Sequence, residues 1–96
     1  MTPATFTISA DHPCLPGHFP GQPVVPGVVI LDAVLEALEQ QAGPLAATRW
    51  PQVKFLQPML PGQSARITLE PLADGRWRFR VSTDAALIAS GEVARA

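Results

Sequence analysis

The sequence predicts an α+β fold in which an antiparallel sheet of about five strands wraps one apolar helix. Three observations predict it. Val28 to Ala42 has helical periodicity and is too apolar to stand free in water. Short runs of alternating residues follow it, separated by turn residues. A stretch whose prolines forbid helix and interior strand precedes it.

Each element has a local reason. Thr5-Phe6-Thr7-Ile8-Ser9 alternates polar and apolar and reads as a short strand. Asp11 to Gly27 holds five of the 11 prolines and three of the 7 glycines, so it reads as a long ordered loop. In the helix, Ile30, Leu31, Val34, Leu35, Leu38 and Ala42 fall on one side, and Asp32, Glu36, Glu39 and Gln40 form a polar stripe. Gly43-Pro44 stops it. Its start has no Ser, Thr, Asp or Asn at the cap, because Pro26-Gly27 leads straight in. Val53 to Leu56 and Ala65 to Glu70 read as strands joined through Pro58 to Gly62. Asp74-Gly75 is a hairpin turn. Beyond it Arg76, Arg78 and Arg80 alternate with Trp77, Phe79 and Val81, which puts the arginines in solvent and the others in the core. Ala86 to Ala89 and Glu92 to Ala94 form a last strand, with a bulge or bend expected at Ser90-Gly91.

Composition narrows the function. The 96 residues make one domain, 1–96. With 47% hydrophobic residues, 16% charged residues and a net charge of -1, the chain suits neither a disordered tail nor a nucleic-acid binder. A core this small is marginal alone. One cysteine excludes an internal disulfide, and one Cys with two His implies no structural zinc. Association of at least two chains is therefore expected. No signal peptide or membrane span is visible, so a cytoplasmic location is expected.

The chemistry concentrates between His18 and Asp32. Prolines hold His18 in place at little further entropic cost. Asp32 lies in the second helical turn among apolar neighbours, where a covering partner would favour its protonated form. The uncapped helix start, with Gly27 permitting close approach, offers backbone N–H groups to a developing negative oxygen. A base, an acid and an oxyanion site thus fall within one short segment.

That segment, His18-Phe19-Pro20-Gly21-Gln22-Pro23-Val24-Val25-Pro26-Gly27 followed by Asp32, resembles the signature of the hotdog-fold 3-hydroxyacyl-[acyl-carrier-protein] dehydratases. Asp in place of Glu at the acid is similar to the dehydratase–isomerase branch. Val53-Lys54-Phe55-Leu56-Gln57-Pro58-Met59-Leu60-Pro61-Gly62 is similar to the family's second motif. The resemblance implies a central helix wrapped by an antiparallel sheet, with sites at a dimer interface. It implies His18 as the catalytic histidine and Asp32, from the other subunit, as the catalytic acid. The Gly27 N–H would polarise the thioester carbonyl, the Val24 carbonyl would orient the imidazole, and Phe19, Pro20 and Val28 would shape the acyl site. The implied substrate is a (3R)-3-hydroxyacyl group on the phosphopantetheine of an acyl carrier protein, dehydrated without cofactor or metal.

Two features distinguish the chain within that resemblance. The family carries a longer segment ahead of the point where this chain begins. The short form is similar to the dehydratase-like proteins of aryl polyene and related polyketide-type pathways, some of which work in pairs. A homodimer, or a heterodimer with a second hotdog protein, is expected. Glu36 stands one turn after the acid, where the family has Gln.

Plainer roles stand beside these. Asp32 begins the polar stripe, and His12 reads as structural or exposed. Cys14 reads as a small buried hydrophobe, and Trp50 and Trp77 as core or interface residues. The strand arginines, with Arg49, Lys54 and Arg66, read as a solvated face or a docking surface for an acidic carrier. The rival functions are a hotdog thioesterase and a non-catalytic subunit that completes an active partner.

Overall fold

The structure, a computed structural model, describes residues 4–8 and 24–95. Ser9, most of the proline-rich loop, His12, Cys14, His18, Phe19 and Pro20 lie outside the described residues.

Strand β1 (Ala4–Thr7) is followed by helix α1 (Gly27–Ala42) and then by β2 (Thr48–Phe55), β3 (Ser64–Pro71), β4 (Arg76–Ser82) and β5 (Leu87–Arg95). The strands form one antiparallel sheet in the order β1-β3-β4-β5-β2. Helix α1 lies on one face of it. Ile30, Val34, Ala37 and Leu38 pack into one core with Ile67 and Leu69 of β3, Phe79 and Val81 of β4, and Ile88, Ala89 and Val93 of β5. This is the expected hotdog architecture.

The strand alternation survives into the structure. Ala65, Ile67 and Leu69 are buried on β3 while Arg66, Thr68 and Glu70 are exposed. On β4, Phe79 and Val81 are fully buried and Trp77 packs half-buried against the core. Arg78 and Arg80 are exposed. Trp50 reaches across β5 to meet Phe79 edge-on, with ring centroids 5.7 Å apart. Asp74 and Gly75 both have positive φ, 62° and 70°, as the tight β3–β4 hairpin requires. On α1 the buried stripe includes Ala37, whereas Leu31, Leu35 and Ala42 are only half-buried. Glu39 leaves the polar stripe to bind the chain after the helix. Its carbonyl accepts from the Gly43 N–H at 2.9 Å and its carboxylate from the Leu45 N–H at 3.1 Å.

Two strand expectations need correction. Strand β2 begins at Thr48, well before Val53, and runs through Pro51. It can do so because it is an edge strand, and because Pro51 falls in a bulge. Arg49 pairs with Ala94 and Gln52 with Glu92, so β2 carries one extra residue there. Strand β5 is unbroken at Ser90-Gly91, which pair on both sides with β4 and β2. Its own irregularity lies at Ile88, between the Val81–Ala89 and Ser82–Leu87 pairs.

Gly91 has a different task. A Cβ on it would stand 2.0 Å from the Gln52 carbonyl oxygen and 3.0 Å from the Val53 Cα, both backbone atoms. Only glycine lets the bulged edge strand approach so closely. Gly91→Ala is therefore expected to cost about 1–3 kcal/mol in urea unfolding and to speed hydrogen exchange along β2. A loss under about 0.5 kcal/mol, the scatter of ordinary surface changes, would contradict this.

Candidate active site

The approach to α1 is built from two segments. The Val25 N–H donates to the Met59 carbonyl at 2.8 Å, and both side chains are buried. This joins the end of the proline-rich loop to the strap after β2. The strap is held in turn by the Leu56 and Gln57 N–H groups, which donate to the Ile88 carbonyl at 2.8 and 3.3 Å.

Pro26 caps the helix with extended backbone (φ -60°, ψ 146°) and no side-chain hydrogen bond. Its carbonyl accepts from Val29 at 3.0 Å and Ile30 at 3.4 Å. Among the described residues no backbone acceptor meets the Gly27 or Val28 N–H. These are the groups that a helix start leaves for a ligand or for water, at the positive end of its dipole.

Gly27 opens into a groove of about 350 Å³. Val24, Gly27, Ile30, Phe55, Leu56 and Met59 line it together with Gln57, so it is largely apolar. The Phe55 ring stands directly over Gly27. A Cβ on the glycine would come within 2.8 Å of the ring's Cζ. Phe55 is 52% exposed and Leu56 48%. Such apolar surface beside a few backbone donors is typical of a binding groove.

The sequence-predicted residues divide into three sets. Val24 and Gly27 line the groove. Val28, Asp32 and Glu36 fall at successive helical turns on the exposed stripe of α1, outside the groove lining. Val28 is 70% exposed. Glu36 borders a separate shallow depression between α1 and β1, with Phe6, Ala33 and Ile67. His18, Phe19 and Pro20 lie outside the described residues. The structure adds Phe55 and Leu56, which the sequence reading placed on a strand without a role at the site. Their signal was two adjacent large apolar residues on a strand that should alternate.

Among the described residues, no three His, Cys, Asp or Glu side chains cluster so as to hold a metal ion. No described helix is long and apolar enough to cross a membrane.

Known proteins share this architecture and much of this sequence. The chain is 35% identical over 82 residues to the 3-hydroxyacyl-[acyl-carrier-protein] dehydratase FabZ of Haemophilus influenzae (strain PittEE), covering 76% of this chain and 55% of that protein. It is 37% identical over 83 residues to FabZ of Mannheimia succiniciproducens, covering 72% and 52%. The chain thus spans about half the length of the curated relatives it matches. In structure it is similar to a chain of the dehydratase heterocomplex ApeI:P from Xenorhabdus doucetiae, with TM-score 0.78, 23% identity, and 94% and 81% of the two chains covered. It is also similar to a mutant of the fluoroacetyl-CoA-specific thioesterase FlK, with TM-score 0.64, 18% identity, and coverage of 98% and 88%. At these identities the likeness shows the fold alone. The sequence is more specific: residues 2–92 match the ApeI-like family, described as ApeI dehydratase, and the chain belongs to that family.

Proposed function

We propose that the protein dehydrates (3R)-3-hydroxyacyl groups carried on an acyl carrier protein, giving the trans-2-enoyl thioester. One observation carries the reading: an uncapped helix start, whose Gly27 N–H meets no backbone acceptor among the described residues, borders a largely apolar groove large enough for an acyl chain. The hard step is removal of a C2 proton, which places negative charge on the thioester oxygen. The Gly27 N–H would stabilise that charge at a helix N-terminus. In the motif reading, His18 takes the proton, with its imidazole oriented by the Val24 carbonyl. The C2 electron pair forms the double bond, the C3–O bond breaks, and the hydroxyl leaves as water with a proton from Asp32.

Asp32 faces away from the groove of its own chain, which supports its assignment to a partner's groove. A homodimer, or a heterodimer with a second hotdog protein, would cover Val28 and bring Asp32 to the site. The edge of β2 that no described strand pairs with, with Phe55 and Leu56 beside it, suits such pairing. Phe19 and Pro20, beside His18, would complete the acyl wall with Val28 of the same or the facing chain. Glu36 follows Asp32 by one turn and would face the same interface. No cofactor or metal enters the scheme, and its place is the cytoplasm, where carrier-bound acyl chains are made.

Mass analysis of a 3-hydroxyacyl carrier protein after incubation with the purified protein tests this. Loss of one water is expected. Release of the free acid would instead establish a thioesterase. No reaction until a second hotdog protein is added would assign the chain as the completing subunit, a reading that the ApeI:P heterocomplex favours.

A further inference from the structure

The outer face of the sheet, away from α1, carries side chains that the reaction does not use. The strand registers set Thr68 opposite Arg80, Arg80 opposite Ser90 and Ser90 opposite Lys54. These four side chains therefore lie in one row across β3, β4, β5 and β2. With strands about 4.8 Å apart, the Arg80 and Lys54 backbones stand roughly 10 Å from each other, with the Ser90 hydroxyl between them. A depression of about 220 Å³ runs between the two cations, lined by both, by Ser90 and by Arg78 and Glu92, which pair with Glu70 and Arg76.

Three other cations of this face are already matched, and Arg49, opposite Ala94 beyond the β2 bulge, stands apart from the row. Arg78 pairs with Glu70 at 2.9 Å, Arg76 with Glu92 at 3.0 Å and Arg66 with Asp84 at 3.6 Å. Among the described residues, neither Arg80 nor Lys54 has a carboxylate within ion-pair distance. Helix α1 is the reverse, with Asp32 and Glu36 exposed and no Lys or Arg anywhere along it. A chain of net charge -1 is thus polarised, acidic on the helix and cationic on the far side of the sheet. The row also ends beside the groove. Lys54 precedes Phe55, and successive strand residues point to opposite faces. One side chain meets the outer face and the next stands over Gly27.

We infer that the Thr68–Arg80–Ser90–Lys54 row is a docking surface for an acidic protein, whose carboxylates complete the unmatched cations and bond to the two hydroxyls. A partner seated there is placed to pass a flexible arm around the β2 edge to the groove at Phe55 and Gly27. Its identification as the acyl carrier rests on the proposed dehydratase reading.

Fluorescence anisotropy with a labelled 3-hydroxyacyl carrier protein tests the surface directly. The double variant Lys54→Gln/Arg80→Gln is expected to bind about tenfold more weakly than the wild type, whose binding weakens as salt is raised. The charge-matched Arg66→Gln/Arg76→Gln variant, which removes cations that already have Asp84 and Glu92 beside them, should change less than about twofold. Equal losses in the two variants, no loss in the first, or no binding by the wild type would overturn the inference. Matching far-UV circular dichroism and thermal unfolding show that the variants fold, as expected for exposed strand positions. Turnover of a carrier-free 3-hydroxyacyl pantetheine thioester separates the two readings. The Lys54/Arg80 variant should keep it. No water loss from either substrate, with carrier binding intact, would sink the dehydratase reading and leave the docking surface standing.

Discussion

Asp32→Asn should lower turnover of the 3-hydroxyacyl carrier substrate by about 10²–10⁴-fold, the usual loss when a positioned acid or base is removed. His18→Ala should do the same. Asp32 is exposed on α1 and has no salt-bridge partner among the described residues, so the Asn variant should melt within about 2 °C of the wild type. The two measurements together separate chemistry from folding. A variant that keeps more than a tenth of wild-type turnover would remove its residue from the mechanism. The cross-subunit assignment has its own check. Mixing His18→Ala with Asp32→Asn should restore part of the activity if each groove draws its acid from the facing chain, because some mixed dimers then hold one intact pair. No recovery on mixing would place both residues in the groove of one chain.

The largest stability effect is expected at Phe79. It is fully buried on β4, at the middle of the sheet order, and packs edge-on against Trp50. Its side chain joins the core that α1 presses onto the sheet. Phe79→Ala should lower the unfolding free energy by about 3–5 kcal/mol. For a chain of this size that is a large part of the whole stability. Phe55→Ala is the matched control. Its ring is as large but half exposed over Gly27, so its removal should cost under about 1 kcal/mol while impairing substrate binding. Urea unfolding followed by tryptophan fluorescence distinguishes the two. Similar losses at both positions would mean that Phe55 is a core residue and not a wall of the groove.

Where local chemistry governs, the sequence was legible. The alternation in β3 and β4, the Asp74-Gly75 turn and the 3.6-residue stripe of α1 each depend on neighbours within a few positions. Tertiary contacts did not override them. Strand β2 was less legible. Pro51 argues against a strand, and only its place at an edge, within a bulge, makes it tolerable. Ser90-Gly91 looked like a break for a similar reason. Glycine there has its cause on another strand, in the Gln52 carbonyl that leaves no room for a Cβ.

The site divides in the same way. The spacing from His18 to Asp32, the Pro26-Gly27 entry to the helix and the membership of a dehydratase family were all written in the order of residues, because a motif is a local pattern. The motif also led to Gly27 and Val24, which the fold brings to one groove. It gave no sign that Phe55 would stand over Gly27, some thirty positions away in sequence. Nor did it show which cations of the outer face are matched. Arg76, Arg78 and Arg80 look equivalent in sequence, yet Arg76 and Arg78 pair with Glu92 and Glu70 while Arg80 lies opposite Thr68 and Ser90 in the strand register. Sequence alone therefore made legible most of the elements, the helix entry and the family motif, all consequences of short-range sterics and periodicity. Tertiary structure alone decided what stands opposite what, because strand register joins residues that the chain keeps far apart.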